Sequence, residues 1–241
     1  MGRNTNPPQH PCAYIKYKYC GWLPEIPEIT ESGIYSLNSL TSTNFNRYKI
    51  SLKNTDEYLV LEYRRKIGIF ESNLPGEGII IYRINENYRG NFSRFYPEIP
   101  GGIYDEVYAF RPDGSPNSVG RYLNANLSSN DNRIEFNNTS NPFCFISDST
   151  KCNVSIENIS VSGGDRMIFR VDFCDNSDVT YNSTSIIPSI TEAVNISTNG
   201  NVAIEPNNNV TFEASNEIIL NSGFETKSGS NFTALSVICG E

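Results

Sequence analysis

The chain has 241 residues, 38% hydrophobic and only 19% charged, with a formal net charge of −8 and a pI near 4.8. That length suits one large β domain or two smaller domains. The acidic balance excludes a nucleic-acid partner, which needs a basic face to release counterions, and without an 18-residue apolar run no transmembrane segment is expected.

The residue vocabulary favours Ile, Val, Tyr, Phe, Thr, Asn and Gly over the Ala, Glu, Lys and Leu of long amphipathic helices. The expected fold is therefore mostly β. The opening stretch, HPCAYIKYKYCGWLPEIPEIT from His10 to Thr30, is the exception. Pro11 suits a first helical turn, Gly21 the position just past the end, and Pro24 blocks continuation, giving one helix of about ten residues. Cys12, Ile15, Tyr19 and Trp22 fall on one face at helical spacing. On such a helix Cys12 and Cys20 lie about 12 Å apart along the axis, too far to pair with each other.

From about residue 25 to 173 the pattern is that of strands. EYLVLEYRRK and GIIIYRINE are β-rich runs, the second apolar enough for burial on both faces, with SNLPGEG supplying a turn between them. Residues 113–141, rich in Asn, Ser and Gly, read as long loops. NVSIENISV and RMIFRVDF meet across Gly163-Gly164-Asp165 as a hairpin, and a phase slip between Val154/Ile156 and Ile159/Val161 predicts a bulge near Asn158. In the last 65 residues Val202-x-Ile204, Val210-x-Phe212 and Ile218-x-Leu220 recur every eight residues, with Phe232-x-Ala234 closing the series. That period accommodates one short strand and one turn, stacked as rungs or folded as a small meander. The domains expected are a residual helix at 1–24, an antiparallel sheet or sandwich domain at 25–175, and a small stacked-strand β module at 176–241.

The N-terminus lacks the layout of a signal peptide, which leaves either a cytosolic chain or a fragment. The six cysteines favour the fragment and an oxidising compartment. Cys144 and Cys152 suit a small covalent loop, and Cys174 with Cys239 would tie the ends of the last module. About ten Asn-x-Ser/Thr triplets are what a chain this rich in Asn, Ser and Thr carries through composition.

Catalytic chemistry is sparse. Zinc hydrolysis commonly needs two imidazoles one helical turn apart with a carboxylate between them, and this chain has one histidine, His10. His10 is also the one available base for a Cys12 nucleophile, with no orienting third group. Glu57, Glu62, Asp105 and Glu106 are candidates by type for a carboxylate pair, although Arg64 and Arg65 offer them partners and no pair stands out. Calcium could draw oxygens from the loops PDGSPN and SSNDNRIEFNN, neither of which has regular acidic spacing. No catalytic, cofactor-binding or metal-ligating residue is assigned.

HPCAYIKYKYCGWL, ITESGIYSL, EYLVLEYRRKIGIFESNLPGEGIIIYRIN and DRMIFRVDF together resemble the portion of immune-inhibitor-A-like secreted bacterial zinc metallopeptidases that follows their catalytic helix. Glu62 and Arg64 match one family strand, and Leu74, Pro75, Gly76 and Gly78 match its Leu-Pro-Gly-x-Gly element, over residues 9–173. Where the family often has His and Asp, this chain has Arg83 and Asn85, so no ligand role carries over. The family's zinc motif lies upstream of the matching region, and Met1-Gly2 falls about where its methionine turn would be. The tail, through Ala214, Ile218, Leu220, Gly223 and Phe224, is similar to a C-terminal β-stack module of secreted Bacteroidetes proteins.

The resemblance implies a non-catalytic C-terminal region of a secreted or cell-surface zinc metallopeptidase. Its partners would be the N-terminal catalytic domain, which carries the zinc, and the protein or peptide that domain cleaves. Two rivals stand beside it. A stand-alone glycan- or surface-binding β module would use the many tyrosines for stacking, and a carboxylate-based hydrolase would bring two acidic side chains together in a pocket.

Overall fold

The computed structural model describes residues 8–53, 55–91, 104–121, 124–173 and 178–236. The chain divides into two compact units, residues 1–172 and 173–241. The fold is mostly β, with antiparallel sheets in the first unit, parallel sheets in the second and two short helices.

The first helix, α1 (Ala13–Lys18), is six residues long and not ten. Cys12 stands at its N-cap without a side-chain cap, so the turn begins two residues after Pro11. Gly21 closes it as expected: its φ is +64°, and the Trp22 N–H reaches back to the Lys16 carbonyl. The buried side chains are Cys12, Ala13 and Tyr14, whereas Tyr19 and Trp22 are exposed. The apolar face is thus rotated from the expected one, because Tyr14 finds a buried hydroxyl partner on the sheet and Tyr19 lies beyond the last helical turn.

Four antiparallel strands follow in the order β2 (Arg47–Ser51), β3 (Tyr58–Arg64), β4 (Gly78–Ile84) and β5 (Val107–Ala109). β3 and β4 are buried along nearly their whole length. Alternation sorts their side chains onto two faces. One face carries Val60, Tyr82 and Ile84, which pack with Cys12, Ala13, Tyr14 and Ile26. The opposite face carries Leu59, Leu61, Tyr63, Ile79, Ile81 and Arg83. Between β3 and β4 sits a one-turn helix, α2 (Gly68–Glu71).

A second sheet has the order β1 (Gly33–Asn38), β9 (Arg166–Phe173), β8 (Val154–Glu157). Met167, Phe169 and Val171 are fully buried, and Val154, Ile156 and Ile159 also point inward. The phase slip between Ile156 and Ile159 falls at Asn158, whose φ is +51°. Tyr63 bridges to this hairpin, its hydroxyl donating to the Gly164 carbonyl at 2.8 Å and accepting the Gly163 N–H at 2.9 Å. Among its described residues the loop-rich interval holds the two-residue strands β6 (Gly114–Ser115) and β7 (Ser118–Val119) and a 3-10 turn at Ser129–Asp131. The Cys144–Cys152 disulfide is formed, and Cys12 and Cys20 are free thiols. The Cys174–Cys239 pairing and the Met1-Gly2 match lie outside the described residues.

The second unit consists of stacked strands, with a period other than eight. β10 (Asp178–Asn182), β11 (Ile190–Asn199), β13 (Asn209–Ile219) and β15 (Asn231–Ser236) form one parallel sheet in that order. β12 (Val202–Ile204) and β14 (Phe224–Thr226) form another. Val202 lies beside Phe224, Val210 beside Phe232 and Ile196 beside Ile218, 22 positions on; the offset is one residue shorter before the register shift at Ala193/Asn195, and β10 joins by a shorter connection. The eight-residue spacing separates successive sides of one coil, and 22 residues complete the coil. Inside are Tyr181, Ala193, Ile196, Val202, Ile204, Val210, Phe212 and Ala214. Outside, like residues stack and bond, as where Asn231 Nδ2 donates to Asn209 Oδ1 at 2.7 Å.

Gly78 shows why the Leu-Pro-Gly-x-Gly element takes its form. Its φ is +152°, and a Cβ there would overlap the Leu127 carbonyl oxygen, to which β4 is hydrogen-bonded through the Ile79 N–H. Gly78→Ala is expected to cost about 2–4 kcal/mol through strain and overlap. Gly90→Ala, at positive φ but in open space, should cost about 1 kcal/mol. Urea unfolding of the two variants checks this, and equal losses would remove the packing explanation.

Candidate functional site

The face of β3 and β4 that carries Val60 and Tyr82 also carries two charges, Glu62 and Arg64. Both are buried, as is Glu71 at the end of α2. The Arg64 guanidinium donates to Glu71 through Nε at 2.7 Å and Nη2 at 2.6 Å, and to Glu62 Oε1 through Nη1 at 3.0 Å. Burial opposes its charge, but Glu62 and Glu71 more than compensate and hold its pKa above the ordinary range. A fork of five donors set between two carboxylates is the geometry in which an ion pair survives without water.

The same three side chains grip the chain entering α1. Glu62 Oε2 accepts the Ala13 N–H at 2.8 Å, Glu71 Oε1 accepts the His10 N–H at 3.0 Å, and Arg64 Nη2 donates to the His10 carbonyl at 3.1 Å. Tyr82 adds its hydroxyl to Glu62 at 3.1 Å. Glu62 thereby caps the helix from another element, supplying the acceptor that Cys12 lacks.

At the other end of the helix the buried Glu106 repeats the arrangement. Its Oε1 accepts the Tyr14 hydroxyl at 2.6 Å and the Tyr19 hydroxyl at 2.5 Å, and its Oε2 accepts the Gly90 N–H at 2.7 Å. Burial alone would raise the Glu106 pKa; the donations from Tyr14, Tyr19 and Gly90, with Lys18 nearby, outweigh it and leave the carboxyl below its ordinary value. Glu86 is likewise pushed up by burial and brought below its ordinary value by Lys18 and Tyr58.

On the opposite face Arg83 is fully buried, with Nε 3.2 Å from Glu57 Oε2 and its guanidinium 5.3 Å from the Tyr108 ring and 5.5 Å from the Phe145 ring. Burial lowers its pKa, and Glu57 works in the other direction. Glu57 also accepts the Ser147 N–H and hydroxyl, and Asn85 Nδ2 donates to the Ser147 Oγ at 2.9 Å. Arg83 and Asn85 are thus parts of one buried polar link. Asp105, also buried, forms a backbone bridge with Asn91.

Three of the four candidate carboxylates, Glu57, Glu62 and Glu106, thus hold backbone, tyrosine or arginine groups in place. The His10 ring packs tilted against Phe70 at 5.0 Å, and burial followed by Lys16 lowers its pKa. Cys12 is buried, and desolvation with Glu62 nearby pushes its thiol up to about 12, the reverse of what a nucleophile needs. Of the acidic groups in the two calcium candidate loops, Asp113 pairs with Arg121 at 2.5 Å and Asp131 with Arg133 at 3.5 Å. Among the described residues no three His, Cys, Asp or Glu side chains gather into a group able to hold a metal ion. A shallow cleft of about 330 Å³ lies beside the Leu-Pro-Gly-x-Gly turn, lined by Pro75, Gly76, Pro112, Asn126, Asp131 and Arg133. Outside the helix dock, Tyr17, Tyr19 and Trp22 are exposed, as are Ile69 and Phe70 on α2.

Sequence reasoning named Glu62 and Glu106 without their roles and missed Glu71 and Tyr14. The available signal was the pair of charges inside the apolar run EYLVLEYRR: a strand buried on both faces must neutralise such charges internally. No family model, curated protein or solved structure matches this chain.

Arg64→Met leaves Glu62 and Glu71 buried without their cation and should cost about 3–5 kcal/mol, with faster amide exchange at Ala13 than in the parent. A loss below about 1 kcal/mol in urea unfolding contradicts this account. The lowered Glu106 and Glu86 values set a pH dependence. Their stabilisation is complete above the unfolded value of 4.5 and is lost as pH falls through the lower folded values. The melting temperature should therefore drop below pH 4.5, and Glu106→Gln should flatten that part of the curve.

Proposed function

We propose that this chain is a non-catalytic β region of a secreted zinc metallopeptidase. It supports a catalytic domain that holds the zinc and carries a stacked-strand module for surface attachment or export. The observation that carries this reading is the clamp on the segment from His10 to Tyr19. Three buried charges and Glu106 fix this short helix on the sheet and leave Tyr17, Tyr19 and Trp22 facing outward.

Exposed aromatics beside a rigidly held backbone are suited to packing against another domain. The resemblance supplies that domain's identity, since the matching region follows the catalytic helix in the resembling family. The Cys144–Cys152 disulfide favours an oxidising compartment. In this reading peptide-bond hydrolysis by a zinc-activated water belongs to the catalytic domain, and the β region contributes rigidity and one wall of the substrate groove.

The test is the native polypeptide. Antibodies raised against this chain should capture from its source a longer protein whose tryptic peptides include a His-Glu-x-x-His segment and which cleaves casein with zinc bound. A captured protein lacking that segment overturns the proposal. So does a purified sample of the 241 residues that retains one zinc per chain and cleaves casein by itself.

A further inference from the structure

The parallel stack of the second unit ends on β15, and among the described residues no strand pairs with its outer side. The Asn231 N–H is directed to the Asn208 carbonyl, toward β13. In a parallel ladder alternate residues serve alternate neighbours, so Phe232, Ala234 and Ser236 turn their N–H and C=O groups to the open side. The apolar interior is open at the same end. Phe232 packs on Phe212 and Phe224 at 5.1 and 5.0 Å, yet both Phe232 and Phe224 are only half-buried, and Leu235 is exposed.

Edge strands normally carry charge or proline, which prevents pairing. Asn231–Ser236, reading NFTALS, has neither, although the sheet behind it carries Glu192, Glu213 and Glu217 and the chain a net charge of −8. Charge in this sheet is confined to the strands behind the edge.

We propose that β15 is a self-association edge on which a second copy of this chain places its own β15 antiparallel, closing a two-fold dimer. Charge selects a second copy over a foreign peptide. A basic peptide would be drawn to the acidic strands behind, whereas two neutral β15 strands meet without opposed charges and keep the glutamates of the two copies off the axis. The register that joins the open N–H and C=O groups sets Ala234 opposite its own copy, Phe232 opposite Ser236 and Thr233 opposite Leu235. Large side chains then face small ones, and each half-buried Phe232 ring is covered by the other copy's Ser236 strand end. Because the contact is isologous it stops at two copies.

Sedimentation of the full chain at about 50 and about 0.5 µM, bracketing a micromolar Kd, should give twice the 27.0 kDa monomer mass at the higher concentration. Ala234→Pro and Ser236→Pro, each removing one outward N–H, should return the mass to that of a monomer while far-UV circular dichroism is unchanged. In the parent chain, amide exchange at Phe232 and Ala234 should be slower at the higher concentration, a readout that holds if a proline variant fails to fold. A monomer at both concentrations overturns the proposal. So does a dimer that survives both prolines, a larger assembly, or exchange at Phe232 and Ala234 independent of concentration.

Discussion

The first unit depends on the burial of one cation between two carboxylates. Arg64 and Glu62 stand on a strand whose every other position is apolar or buried, and the segment around α1 buries them. An uncompensated charge at that depth would cost several kcal/mol, so Arg64 must keep both Glu62 and Glu71. The constraint acts in both directions. The carboxylates satisfy the arginine, and their remaining lone pairs receive the N–H groups of His10 and Ala13 and the Tyr82 hydroxyl. A six-residue helix is far too short to hold itself in water, and here its first turn is capped by a side chain 49 residues away. Local propensity and tertiary contact have exchanged their usual order: the sheet makes the helix.

The two units solve the burial of backbone polar groups differently. In the first, antiparallel strands alternate faces and both faces of β3 and β4 are covered, so polar side chains that fall inward need exact partners; Arg83 with Glu57 and Arg64 with Glu62 are the two cases. In the second, the parallel stack places like beside like. An asparagine beside an asparagine can donate and accept along the row, and Phe232, beside Val210 in register, also meets the Phe212 ring edge-on. The core there is thin, roughly one residue from each side of the coil, so its stability rests on repetition between rungs rather than on a few deep contacts.

Much of this architecture is legible in the residues. The β vocabulary, the buried character of GIIIYRINE, the Gly163-Gly164 hairpin, the irregularity at Asn158 and the short covalent loop between Cys144 and Cys152 all follow from patterns within a dozen residues. What escapes is what depends on distant partners. Helical spacing groups Tyr19 with Cys12 and Ile15, but Tyr14 goes inward because Glu106, 92 positions later, receives its hydroxyl. The eight-residue rhythm of the tail is real, yet it measures the distance between sides of a coil. The 22-residue period shows only when Val202, Val210 and Ile218 are compared with Phe224, Phe232 and residues beyond, where Phe for Val and Ala for Phe obscure the repeat. Glu71 is invisible for a similar reason, since nothing near it announces that an arginine seven residues earlier will be sealed from water.

The placement of the carboxylates bears on the choice between a support and a hydrolase. A general acid or nucleophile must be able to change its protonation or form a bond while the rest of the site stays put. Glu62 and Glu106 are in the opposite situation. Each accepts three hydrogen bonds, Glu62 one from the first turn of α1 and Glu106 two from Tyr14 and Tyr19, and Glu106 is held on the ionised side by those two hydroxyls. Protonating Glu106 would release the tyrosines of the helix rather than transfer a proton to a substrate. Side chains fixed in this way give a stiff platform, and in the proposed reading that platform bears a neighbouring domain on the outward-facing Tyr17, Tyr19 and Trp22.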